Sequence, residues 1–66
     1  MTNVIPHMFA AVAAKLEDLH AVAVEGQRAD NAPEMQSVLN TCLRDGLVVL
    51  DEAVLALARA LESGLS

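Results

Sequence analysis

Apolar side chains recur along the first third of the chain at alternating steps of three and four residues. This spacing places them on one face of an α-helix, because the helix turns once in about 3.6 residues. We therefore predict a first helix over about residues 4–25. Its predicted core face contains Ile5, Phe9, Val12, Leu16, Leu19 and Ala23.

A second apolar pattern with the same period occupies the last half of the chain. Asn31 followed three residues later by Glu34 matches a capping box, and Pro33 is typical of a first helical turn. We predict a second helix over about residues 32–63, ended by Gly64. Its predicted core face contains Leu39, Leu43, Leu50, Val54, Leu57 and Leu61, with Leu47 alongside.

The segment between the two patterns is rich in turn-forming residues, and we predict a turn at about residues 26–31. Gly26 is expected to cap the first helix. A chain of 66 residues has room for one domain, so the two helices fold back on each other. The predicted fold is all-α: a single antiparallel helical hairpin over residues 1–66, whose second helix is the longer.

Gly46 raises an alternative, because Asp45-Gly46 is a common turn dipeptide and glycine costs about 1 kcal/mol relative to alanine inside a helix. A break at this point would give three short helices. We predict a continuous helix, since the leucine spacing passes from Leu43 to Leu50 without a change of phase.

Helix 2 carries a second apolar face beside the leucine face, and one partner helix covers only one of them. Antiparallel pairing about the turn is also expected to leave Leu57, Leu61 and Leu65 beyond the end of helix 1. We predict that two hairpins pair as a homodimeric four-helix bundle. A monomeric hairpin, and a second face that serves another protein, are the alternatives. The predicted dimer interface contains Val38, Cys42, Val49, Ala53, Ala56 and Ala60.

Composition argues against several classes of partner. The net charge is -5, and the four basic residues are scattered, so no basic stripe is available for a phosphate backbone or an anionic membrane. No apolar run approaches the roughly 20 residues that cross a bilayer. A single cysteine, Cys42, is typical of the reducing cytoplasm. We expect a cytoplasmic protein that binds neither nucleic acid nor membrane.

Catalytic and metal-binding patterns are weak. Glu17 and His20 have the Glu-x-x-His spacing of di-iron bundles, but the leucine face of helix 2 supplies no further acidic ligand. Cys42 has no predicted neighbour that would lower its pKa. The chain also lacks phosphate-loop and nucleotide-binding fingerprints. We predict no enzymatic activity, no cofactor and no small-molecule substrate.

The most informative outward feature is on helix 2. Val48 and Leu55 lie seven residues apart and share one strip of the polar side. Glu52 and Arg59, also seven apart, flank that strip and are expected to orient a docked protein. These four residues form the predicted partner-binding site. The alternative is that two apolar residues on a polar face are ordinary surface.

The layout of two helices and a short turn resembles that of Rop-type RNA-binding dimers of plasmids. The resemblance implies RNA binding through the paired first helices by basic and aromatic groups. Here the outer face of helix 1 instead carries Ala10, Ala14, Glu17, Asp18 and Ala21. We predict a small acidic helical dimer that binds another protein and modulates its activity, of the kind that bacteria, phages and plasmids encode. A chaperone-like or structural subunit and a Rop-like RNA-binding dimer are the alternatives.

Overall fold

The computed structural model describes residues 4–64 and consists of two α-helices that run antiparallel. Helix α1 spans Val4–Gly26 and helix α2 spans Pro33–Glu62, with residues 27–32 between them. The hairpin is a rod with principal extents of 50 × 15 × 11 Å. The prediction of an all-α hairpin with a longer second helix is confirmed.

Helix α2 continues without a break through Gly46, as predicted. The missing side chain at this position makes room for α1: a Cβ on Gly46 would overlap the Leu19 Cδ2 and lie 3.3 Å from the Leu19 Cγ. The close approach of the two helices here offsets the low helix propensity of glycine.

A seam of buried and half-buried side chains runs between the helices. Two contacts fix its register. Leu19 faces Gly46, and Gly26 faces Leu39, because a Cβ built on Gly26 would lie 4.0 Å from the Leu39 Cδ1. Along α2 from Leu43 onward, leucines alternate with glycine or alanine, which lets the two helices approach closely. The seam contains Ile5, Met8, Val12, Lys15, Leu19 and Val22 from α1, and Leu39, Leu43, Gly46, Leu50, Ala53, Leu57 and Ala60 from α2.

The predicted core face of helix 1 is wrong at every second position. Phe9 and Leu16 are 54% and 50% exposed, and Ala23 is exposed as well. In each case the residue one place earlier in the chain lies in the seam instead. One of these is Lys15, whose side chain is 31% exposed and whose Nζ lies 3.8 Å from the Asp18 Oδ2, so its aliphatic stem extends along the seam.

Helix α2 departs from its predicted face in the same way. Leu47, Val54 and Leu61 are exposed, and again the preceding residue of each occupies the seam. These preceding residues are glycine and alanine, which allow the helices to approach closely. Every second seam position of α2 from Gly46 onward is therefore a glycine or an alanine, and the larger residue that follows it stays at the margin of the seam.

The extra length of α2 lies at the turn end of the hairpin. Because Gly26 ends α1 and faces Leu39, residues 33–38 extend past the end of α1. The far part of α2 is therefore covered, and Leu57 is only 7% exposed. The prediction that Leu57 and Leu61 project beyond helix 1 is wrong, because the register places them level with residues 8 and 4 of α1. Leu65, which shared that prediction, lies outside the described residues.

The start of α2 differs from the predicted capping box. Pro33 is the first helical residue, and Ala32 is the N-cap, with φ -67° and ψ 153° and no side-chain capping bond. The residue before a proline is driven into extended backbone, which places the cap one residue later than predicted. Asn31 instead donates a 2.7 Å hydrogen bond from Nδ2 to the carbonyl oxygen of Glu25. Glu34 remains in the first turn, where a negative charge is favourable.

The two helix ends differ in their use of glycine. Gly26 is the last residue of α1, as predicted, and its φ is not positive, so it ends the helix without a left-handed conformation. Gly64 follows α2 with φ 75°, and its N–H donates to the Leu61 carbonyl oxygen at 3.2 Å. The predicted end of helix 2 at Gly64 is confirmed, because this position needs a conformation that glycine adopts readily.

An exposed ion-pair fork organises the connecting segment. Arg28 donates from Nε and Nη2 to the two carboxylate oxygens of Asp30 at 3.2 and 3.0 Å, and from Nη1 to Glu25 at 3.1 Å. The hydrogen bonds to Asp30 and the charge of Glu25 raise the pKa of Arg28. Since these groups are solvent-exposed, the fork shapes the turn more than it stabilises the fold.

Candidate protein interfaces

One side of the hairpin carries an exposed apolar surface to which both helices contribute. On each helix the position next to the seam repeats every seven residues, and in an antiparallel pair these positions fall on the same side. We call this surface the apolar flank. It contains Phe9, Leu16 and Ala23 from α1 and Leu47, Val54 and Leu61 from α2.

A groove marks the turn end of the apolar flank. It has a volume of about 350 Å³ and lies between the last turn of α1 and the second and third turns of α2. Small residues create it, because Ala23 and Gly26 leave the space above Leu39 and Leu43 unfilled. The walls are completed by Val22, Gln27, Gln36 and Asn40.

The opposite flank has a different character. On α1 it presents the carboxylates Asp18 and Glu25, which pair with Lys15 and Arg28 respectively. On α2 it presents small and medium apolar groups, and the thiol of Cys42 is exposed among them. This flank is therefore apolar on one helix and acidic on the other.

The predicted dimer interface is divided by the seam. Ala60 is 5% exposed within the single chain, and Ala53 is half-buried beside α1. The other members remain exposed: Cys42, Val49 and Ala56 lie on the opposite flank, and Val38 lies near it. Whether these four contact a second copy stays a prediction.

The predicted partner-binding residues lie on the side of α2 that points away from α1. Val48 is 58% and Leu55 is 47% exposed, and we call this pair the outer strip. Glu52 and Arg59 are exposed next to it. The four side chains are therefore exposed to solvent, as the helical spacing indicates. Their role in binding stays a prediction.

Titratable groups do not gather into a site within residues 4–64. No cluster of three or more histidine, cysteine or carboxylate side chains that could hold a metal ion occurs in that part of the chain. Glu17 and His20, the pair with metal-ligand spacing, are both exposed. No polar or charged residue of the described chain is buried. The features that the structure does present are its apolar surfaces.

The apolar flank is the surface that sequence reasoning missed. The periodicity places its members on or beside the predicted core faces, because an apolar side chain every seven residues is also the signature of a core position. A signal was present in the α2 sequence, where each of Leu47, Val54 and Leu61 follows a small residue. Small residues at that period indicate the line along which two helices approach closely.

Comparisons with protein-family models, with curated proteins and with solved structures find no match to this chain. Neither α1 nor α2 contains a stretch long and apolar enough to span a membrane. The function is therefore inferred from the chain's own side chains and from their arrangement.

Proposed function

We propose that this chain is a small non-enzymatic helical homodimer that binds another protein and modulates its activity. The observation that best supports the proposal is the imbalance between buried and exposed apolar groups. Eleven large apolar side chains are exposed in the described residues, whereas Leu57 and Ala60 are the only buried residues there. A hairpin of this kind lacks the core that stabilises a domain, and association supplies it.

The dimensions of the hairpin suit a second copy of itself. Each broad side measures 50 Å by 15 Å, on the order of 750 Å², which is close to the roughly 800 Å² that each partner buries in a stable interface. Burying the exposed leucines, valines and phenylalanine removes apolar area from water at about 25 cal/mol per Å². Two hairpins stacked side to side form a four-helix bundle.

The outer strip supports the second half of the proposal. Because Val48 and Leu55 point away from α1, they remain accessible when two hairpins stack through a flank. We propose that an amphipathic helix of another protein docks there, with apolar residues seven apart covering the strip. The neighbouring charges of Glu52 and Arg59 have opposite sign and fix the direction of that helix.

Sedimentation equilibrium tests the dimer. We expect twice the chain mass of 7.0 kDa at micromolar concentration. A monomer that is helical and unfolds cooperatively at that concentration would contradict the proposal, since it would show that the single hairpin needs no second copy.

A double substitution tests the outer strip. Val48→Ser together with Leu55→Gln should leave the helicity and the mass unchanged and should weaken the partner complex at least about tenfold, or 1.4 kcal/mol. Val24→Ser is the matched control, because Val24 is similarly exposed on α1, outside the strip. The partner is isolated from the native host with the wild-type chain, and its affinity and activity are then measured with each purified variant. Equal affinity for the double variant and the control would reject the strip as the binding site.

A further inference from the structure

We propose that the two hairpins pair through their apolar flanks, about a two-fold axis perpendicular to the helices that passes beside Leu16. This inference rests on the dimer in the proposed function and adds the surface, the symmetry and the contacts. Each Leu16 then lies against Leu16 of the second copy, and each Phe9 enters the groove at the turn end of the other hairpin.

Charge decides between the two flanks. All six residues of the apolar flank are uncharged and apolar, and the exposed charged residues Arg44 and Asp51 of α2 border it at its outer margin. The opposite flank presents Asp18 and Glu25 on α1. A two-fold contact through that side would remove these two carboxylates and their partners Lys15 and Arg28 from water, which is unfavourable. The six residues of the apolar flank carry no charge that would have to be desolvated.

The spacing along α1 suits a perpendicular axis. Phe9 lies seven residues before Leu16 and Ala23 lies seven residues after it. A two-fold axis beside Leu16 therefore places Phe9 of one copy at the same height along the bundle as Ala23 of the other. At about 1.5 Å per residue, the bulky and the small position are about 21 Å apart. The second copy therefore presents its Phe9 to the groove that Ala23 and Gly26 leave open, which has a volume of about 350 Å³. A large side chain meets a cavity at both symmetry-related ends.

The same axis also brings apolar residues of the two copies of α2 close to each other. Since Leu19 faces Gly46, Leu16 is level with residue 49 of α2, which lies between Leu47 and Val54. An axis at that level brings Leu47 of one copy to the level of residue 51 of the other, about 4.5 Å along the helix from Val54. One symmetry operation thus places Leu16 against Leu16 on α1 and Leu47 near Val54 on α2, as an isologous interface requires, while Leu61 reaches the polar region near Asn40.

Complementary charges test the contact of Leu16 with itself. We expect Leu16→Glu and Leu16→Lys, each alone, to raise the dimer dissociation constant at least a hundredfold, because like charges meet at the axis. An equimolar mixture of the two variants should recover a dimer that contains one chain of each kind, detected by native mass spectrometry. Val24→Glu, an equally drastic change at an exposed position of α1 outside both flanks, should leave the dimer intact.

The outcomes separate this inference from the proposed function. A wild-type chain that is monomeric refutes the dimer itself. A wild-type dimer that survives Leu16→Glu refutes the apolar flank while the homodimer stands. Dissociation of both charged variants without recovery in the mixture refutes the axis beside Leu16.

A cross-linking experiment covers the case in which the charged variants unfold when they dissociate. Leu16→Cys in a Cys42→Ser background should form a disulfide-linked dimer on mild oxidation, because the two copies of this position meet near the axis. Val24→Cys in the same background should stay monomeric on a non-reducing gel. Equal cross-linking at the two positions, or none at position 16 in a chain that sediments as a dimer, would overturn the proposed arrangement.

Discussion

The stability of a Gly46→Ala variant tests how closely the two helices approach at this position. Gly46→Ala places a Cβ in overlap with the Leu19 Cδ2 and 3.3 Å from its Cγ. Leu19 lies half-buried in the seam, and its Cδ2 is the end of that side chain. Either Leu19 leaves its rotamer or the helices separate locally, and both responses cost packing energy.

Two opposing terms set the size of the effect. Replacing a mid-helix glycine with alanine gains up to about 1 kcal/mol of helix propensity. Overpacking of a fitted position costs about 1 to 3 kcal/mol. We expect the second term to prevail and Gly46→Ala to lower the free energy of unfolding by about 1 kcal/mol.

Gly26→Ala is the comparison variant, because it makes the same chemical change where the hairpin by itself leaves space. Its Cβ would lie 4.0 Å from the Leu39 Cδ1, an ordinary van der Waals contact, and Gly26 does not have a positive φ. We expect this variant to gain about 0.5 kcal/mol from the reduced entropy of the unfolded chain.

Urea denaturation followed by circular dichroism, at one fixed protein concentration, gives both free energies. The two variants should move in opposite directions and differ by at least about 1 kcal/mol. Adding Leu19→Ala to Gly46→Ala should cost less than the sum of the two single changes, because the methyl group then fills space that the leucine vacated. Equal stabilisation by both alanines would refute the close approach and the register derived from it.

Two further predictions concern the cap and the seam. Ala32→Asp should raise the free energy of unfolding by about 1 kcal/mol in thermal or urea melts, since Ala32 has extended N-cap backbone without a capping side chain, and an unchanged midpoint would contradict that geometry. Leu57→Ala should lower it by about 2 kcal/mol and Leu55→Ala by less than about 0.5 kcal/mol, because only the first is buried, and equal losses would contradict the seam.

Local information in the sequence was sufficient for the helices and for the outer strip. Helical periodicity, a glycine-containing turn and a terminal glycine depend on residues that are neighbours in the chain, and they located both helices. The same periodicity placed Val48 and Leu55 on the exposed side of α2, since a residue on the far side of a helix stays there whichever neighbour packs on the near side. The capping box failed for an equally local reason, because Pro33 fixes the cap at Ala32.

The rotation and the register of the two helices depend on the tertiary structure. Phe9 and Met8 both belong to repeats of seven residues, and no property of α1 alone shows which of them faces a partner. The choice is made by α2, whose glycine and alanine positions permit close approach along one line, with Leu19 seated against Gly46. That contact joins residues far apart in the chain. It leaves Phe9 outside the seam and creates the apolar flank, because turning Met8, Lys15 and Val22 toward α2 turns the next residue of each toward solvent.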